Sequence, residues 1–194
     1  MSTVVVVKKN GRVSIAADTL TSWGNMKLGA EHLTGNNKIV PVGDSFIGIT
    51  GSAAHKLVIQ SYFEKCKKYS FKNKLAIFET WRTMHKSLKE HYYLNVKDGD
   101  DISYETSQME VLIANPHGIF GVPSLREVME YEKFWAFGSG TDFALGALQC
   151  LYDRFDDAEE IARRAVETAA VFDNGTALPL TVHTVELVKS RRKK

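Results

Sequence analysis

Ser2 follows Met1 directly and carries two groups that together could break a peptide bond. A serine hydroxyl is a poor nucleophile at neutral pH and needs a base. Met before a small residue is ordinarily removed by cytosolic processing, which would leave Ser2 with a free α-amine. Such an amine titrates near ~8. It is therefore partly unprotonated at cellular pH and can act as base for its own side chain, directly or through one water. Ser is also a common second residue, so the pair alone decides nothing.

The elements that follow would place partners around it. Val4-Val5-Val6-Val7 reads as a strand within residues 3–9, and Asn10-Gly11 is a favoured two-residue hairpin turn. Val13–Asp18 then returns antiparallel, which brings Asp18 back beside the chain start. Lys38-Ile39-Val40 opens a further strand, and Gly51 closes the strand Ser45–Thr50. Helical spacing follows in Ala54, Leu57, Val58, Tyr62 and Cys66, then in Ile77, Phe78, Trp81, Met84 and Leu88. A loop near 95–108 leads to Met109–Ala114, which pairs with Ile119–Val122. Gly138-Ser139-Gly140 precedes a helix near 141–152. A last helix near 158–172 has Ala162, Ala165, Val166 and Ala169 on its apolar face, with Asp157 and Glu160 as a capping pair. A strand from Leu180 to Leu187 ends the pattern. Two sheet regions separated by helix pairs predict two sheets packed face to face, with helices outside.

The order Ser2-Thr3-Val4-Val5, Asn10-Gly11, Ala16-Ala17-Asp18, then Phe137-Gly138-Ser139-Gly140 and a late helix with Asp173, resembles the proteasome β-type subunit family. Within it the likeness is nearest to the bacterial HslV-like peptidases, which are N-terminal-nucleophile hydrolases. The resemblance covers nearly the whole chain. It implies an α+β fold, a four-layer αββα sandwich, over residues 1–188, with 189–194 as a basic tail. It implies Ser2 as nucleophile and Lys38 as the charge that steadies the alkoxide. Asp18 would orient Lys38, Gly51 would offer its N–H to the oxyanion, and Ser139 and Asp173 would tune the α-amine. Substrate would pair along Thr21 and Ser22 as an added strand, with Ile49 flooring the pocket. The resemblance also implies a homo-oligomeric ring, most simply two stacked rings of six or seven. An ATP-dependent unfoldase would feed it unfolded polypeptide.

Each position has a plainer reading. Lys38 could be a strand-edge lysine, and Asp18 or Asp173 a turn residue. Gly51 could merely bridge a strand and a helix, and Ser139 could start one. The chain also departs from the family pattern. Ser replaces the usual Thr and lacks the methyl that fixes its rotamer. The stretch between Asp18 and Lys38 is longer, which makes Lys27 a rival for the lysine role. Lys97-Asp98-Gly99-Asp100-Asp101 is an added loop without EF-hand spacing.

Composition narrows the classes. The 194 residues suit one substantial core, and a formal net charge of +2 gives no nucleic-acid-binding signature. Cys66 and Cys150 make no disulfide framework and are expected as buried free thiols. The six histidines show no metal-ligand spacing, and no cofactor motif occurs. No apolar run spans a membrane. A soluble cytoplasmic protein is therefore the default, and the resemblance implies a peptidase. A small-molecule amidase of the same nucleophile type and a latent ring subunit are the other classes that fit.

Overall fold

The computed structural model describes residues 2–96 and 103–188. The expectations for Met1, the Lys97–Asp101 loop and the Lys189–Lys194 tail lie outside them. The hairpin forms as its residues require. Strands β1 (Thr3–Lys9) and β2 (Arg12–Asp18) pair antiparallel with Val4 opposite Ala17. Asn10 and Gly11 both take positive φ, 50° and 78°, as the tight turn demands.

Neither strand stays at an edge. β10 (Phe134–Gly138) pairs with β1, and β11 (Leu180–Glu186) pairs with β2, giving the order β10-β1-β2-β11. The second sheet runs β5-β6-β7-β8-β9, formed by β5 (Ile39–Val42), β6 (Ser45–Gly51), β7 (Met109–Asn115), β8 (Gly118–Val122) and β9 (Met129–Tyr131). Pro41 is tolerated because β5 is an edge strand.

Three apolar layers hold the molecule together. Val4, Val6 and Ile15 meet Leu112, Ala114 and Ile119 between the sheets. Val5, Val7 and Ala16 pack outward against helices α3 (Thr141–Leu151) and α4 (Ala158–Phe172). Ile47, Val111 and Ile113 pack outward against α1 (Ala53–Lys65) and α2 (Lys74–His91). The layers are thus helix, sheet, sheet, helix, as expected. They also explain the unbroken valine run. β1 is covered on both faces, so every side chain from Val4 to Val7 is fully buried.

Several local expectations need correction. β5 starts at Ile39, one residue after Lys38. Cys150 is exposed and Cys66 half-buried, because Cys66 follows the last turn of α1 and Cys150 lies on the outer side of α3. Leu57 and Phe78 point outward, at 69% and 40% exposure, while Ile59 and Phe63 take the core side of α1. Asp157 caps α4 through the Glu159 N–H, but Glu160 pairs with Arg164 rather than closing a capping box. The reciprocal box is at α1, between Ser52 and His55. Strands β3 (Thr21–Trp23), β4 (Met26–Leu28), β9 and β10 were not expected from the sequence pattern.

The sheets pack tightly at Gly48, where an added Cβ would overlap the Val4 side chain and crowd Ile15. Gly48→Val should therefore overpack this layer and lower stability by about 1–3 kcal/mol. Urea unfolding followed by tryptophan fluorescence measures the difference.

Candidate active site

Ser2 precedes β1 and is 5% exposed. Its position is set by its neighbours. Gly138 at the end of β10 has φ of 109°, and a Cβ there would overlap the Ser2 carbonyl oxygen. Only glycine lets β10 approach the chain start this closely. Thr3, the next residue, donates its N–H to Asp18 Oδ1 at 2.9 Å.

Asp18 is fully buried at the end of β2. Lys38 Nζ donates to the same Oδ1 at 2.7 Å. The other oxygen accepts the N–H groups of Leu20 at 3.0 Å and Ala177 at 3.3 Å. Burial pushes the Lys38 ammonium below the ordinary lysine range, while Asp18 opposes that shift through its charge and hydrogen bond. The Lys38 backbone is held too, because its carbonyl accepts the Ile49 N–H at 3.1 Å. Asn37 Oδ1 accepts from Ile39 N–H and Thr181 Oγ1 on either side. Lys27 is exposed on β4, opposite Ser22, and forms no such pair among the described residues.

On the other flank, Ser139 Oγ donates to Asp173 Oδ2 at 2.7 Å and lies 3.3 Å from the Ser2 carbonyl oxygen. Thr176 Oγ1 donates to the same Asp173 oxygen at 2.5 Å and pairs with Thr3 Oγ1 at 2.6 Å. Burial pushes the Asp173 carboxyl up, but hydrogen bonds from Thr176, Ser139 and the Gly175 N–H outweigh it and hold the group below its ordinary value. Asp173 therefore stays ionised beside the chain start. Thr176 and Thr3 are positions that sequence reading missed. The Thr directly after Ser2 and the Thr that follows Asp173-Asn174-Gly175 were the available signals.

Gly51 ends β6 with φ of 117°, a conformation that favours glycine. A Cβ there would crowd the Gln108 carbonyl and the His55 ring. Behind Gly51, the Ser52 N–H donates to His55 Nδ1 at 3.2 Å. Burial lowers the His55 pKa, which keeps the imidazole neutral and able to accept. The N-terminus of α1 thus begins beside Gly51, and its partial positive charge suits a developing anion.

A cavity of about 680 Å³ joins these parts. Ser2, Lys38 and Gly51 line it, with Thr21 and Ser22 on one wall and Ile49 below. β3 pairs only with β4 among the described residues, so its other edge can take an extended peptide. The structure therefore gathers Ser2, Lys38, Gly51, Thr21, Ser22 and Ile49 around one cavity. Asp18 lies behind Lys38, and Ser139 and Asp173 lie across Ser2. Among the described residues, no group of three His, Cys, Asp or Glu side chains could hold a metal ion. None of the described helices is long and apolar enough to cross a membrane.

The chain is similar to known proteins over nearly its whole length. A family model described as "Proteasome subunit" matches residues 1–185. The ATP-dependent protease subunit HslV of Roseobacter denitrificans is 31% identical over 198 residues, covering 95% of this chain and 93% of that protein. The solved structure of Thiobacillus denitrificans BPH is 45% identical, with a TM-score of 0.91, covering 96% of this chain and 99% of that one. The same protein in complex with epoxomicin gives 45% identity and a TM-score of 0.90 over equal shares.

Removing the charge of Asp18 leaves Lys38 buried beside an amide. Asp18→Asn should cost about 3–5 kcal/mol of stability, the range for breaking a buried ion pair. Lys27→Ala should change stability by under about 0.5 kcal/mol. Urea denaturation of the two variants provides the comparison.

Proposed function

Because the chain belongs to the proteasome-subunit family and is a peptidase subunit of the HslV-like kind, we propose that Ser2, freed by removal of Met1, is its nucleophile and its base. The Ser2 amine takes the hydroxyl proton, and Oγ attacks the peptide carbonyl. The Gly51 N–H and the start of α1 stabilise the oxyanion. The amine then protonates the leaving nitrogen. Water, activated by the same amine, hydrolyses the ester. Lys38 steadies the alkoxide, and Asp18 holds Lys38 in place. Ser139 and Asp173 position the amine and stabilise it when protonated. The acyl part of the substrate lies along Thr21 and Ser22 over Ile49.

The observation that supports this most directly is the 2.7 Å Lys38–Asp18 pair beneath a cavity that Ser2 also lines. The relatives named protease subunits favour a peptide substrate over a small amide and over a latent subunit. The epoxomicin complex of a 45% identical protein also fits. A peptide epoxyketone can react once with a hydroxyl and once with an adjacent amine, and an N-terminal Ser offers both.

The same reading extends to assembly. The chain forms a homo-oligomeric ring, most simply two stacked rings of six or seven, in the cytoplasm. An ATP-dependent unfoldase supplies unfolded polypeptide, in keeping with the names of the relatives. No cofactor is required.

Intact-mass analysis should find Met1 absent from the active protein. Ser2→Ala should abolish peptide cleavage while circular dichroism stays unchanged. Lys38→Ala should do the same to activity, and Lys38→Arg should rescue poorly, because guanidinium spreads its charge. The pH profile should be a bell. Below its acid limb the Ser2 amine is protonated and cannot act as base. On the alkaline side Lys38 loses its proton earlier than an ordinary lysine, since burial lowers its pKa. Cleavage by Ser2→Ala within a few-fold of wild type rejects the nucleophile assignment.

Light scattering should return a ring mass in solution. A stable species near the mass of one chain contradicts the assembly.

A further inference from the structure

Ser2 borders two cavities, and the acyl part of the substrate occupies only the first. The second has a volume of about 490 Å³. Ser2, Thr50, Gln108, Glu110 and Ser139 are among its lining residues. Glu110 is the second residue of β7. Its neighbours Met109 and Val111 face the helix layer of α1 and α2. Strand alternation therefore turns Glu110 the other way, into the space between the sheets, on the side that Leu112 and Ala114 fill further along.

Glu110 is half-buried there. Its side-chain contact is Thr50 Oγ1, 3.4 Å from Oε2. No Lys, Arg or His among the described residues forms an ion pair with it. Its charge reaches the Tyr131 hydroxyl, whose pKa is pushed up by burial and by Glu110. A carboxylate so placed gains most from a cation that arrives with a ligand.

The chemistry says which part of a ligand arrives. With the acyl side over Ile49 and along β3, the chain beyond the scissile bond must leave across Ser2. Its nitrogen takes the proton from the Ser2 amine. That flank is the one Ser139 occupies, tied to Asp173 and 3.3 Å from the Ser2 carbonyl oxygen. Ser139 and Glu110 line the same cavity.

We infer that this second cavity receives the residue immediately after the scissile bond, and that Glu110 selects lysine or arginine there. The inference rests on Ser2 being the nucleophile. A basic side chain forms a charge-assisted hydrogen bond with Glu110 in a partly desolvated site. A neutral residue leaves the carboxylate without a cation. An acidic residue sets two carboxylates side by side.

Internally quenched peptides test this on the assembled protein. They share one sequence and differ only in the residue after the cleaved bond, which is Arg, Gln or Glu. Mass spectrometry of the products fixes the cleavage position. For the wild type, kcat/KM should favour Arg over Glu by roughly tenfold or more. Glu110→Gln should bring that ratio close to one, and Glu110→Lys should invert it. Each ratio compares substrates on a single preparation, so partial loss of folded protein cancels. Equal kcat/KM for Arg and Glu in the wild type, or an unchanged ratio in Glu110→Gln, overturns the inference and leaves the peptidase reading standing. Cleavage of none of the peptides overturns both.

Discussion

A buried carboxylate organises this molecule. Asp18 is fully inaccessible to solvent, and an ion in that position is tolerable only when its oxygens are satisfied. Four donors meet it, from Thr3, Leu20, Lys38 and Ala177. They come from the start of β1, the turn after β2, the approach to β5 and the approach to β11. The desolvation cost of one ion is thus offset by contacts that fix four separate segments in register. Thr3 is among them, so the same contacts that stabilise Asp18 also fix the residue next to Ser2.

Precision at Ser2 depends on rigidity close by. Residues close to a chain end normally fray. Here β1 starts at Thr3, between β10 and β2, with apolar layers above and below. Gly138 lets β10 close against the Ser2 carbonyl. The Thr3–Thr176–Asp173–Ser139 set of hydroxyls and carboxylate ties the other flank. Ser2 lacks the methyl of a threonine, so more of its placement falls to this surrounding frame.

The layers were legible because β-branched and helical periodicities are strong and local. The Val4–Val7 run, the Asn10-Gly11 turn and the alanine face of α4 each name their element without help. Other elements were not. β9 and β10 are short, and β10 reads as Phe-Trp-Ala-Phe-Gly, with no alternation of polar and apolar residues. β3 and β4 are three residues each, and the Gly24-Asn25 pair between them was the missed hairpin signal. Around the site, Asp18 could be placed because a hairpin returns to its origin. Lys38 could not be fixed by spacing alone, since nothing in the sequence says how the 21–37 segment folds back. The β3–β4 excursion absorbs that length and carries Lys27 outward. Cys150 was misjudged because an apolar neighbourhood in sequence does not say which face of α3 is covered.

The order of the first sheet has a consequence for biosynthesis. β1 and β2 are made first, yet they are its two central strands, and both neighbours come from the last third of the chain. Ala177 and Thr176, which complete the surroundings of Asp18 and Asp173, follow α4. A chain still on the ribosome with these residues inside the exit tunnel has a bare hairpin and a carboxylate short of partners. The contacts that hold Thr3 and Ser2 in place cannot all be made at that stage. The surroundings of Ser2 are thus completed only once the last third of the chain has emerged.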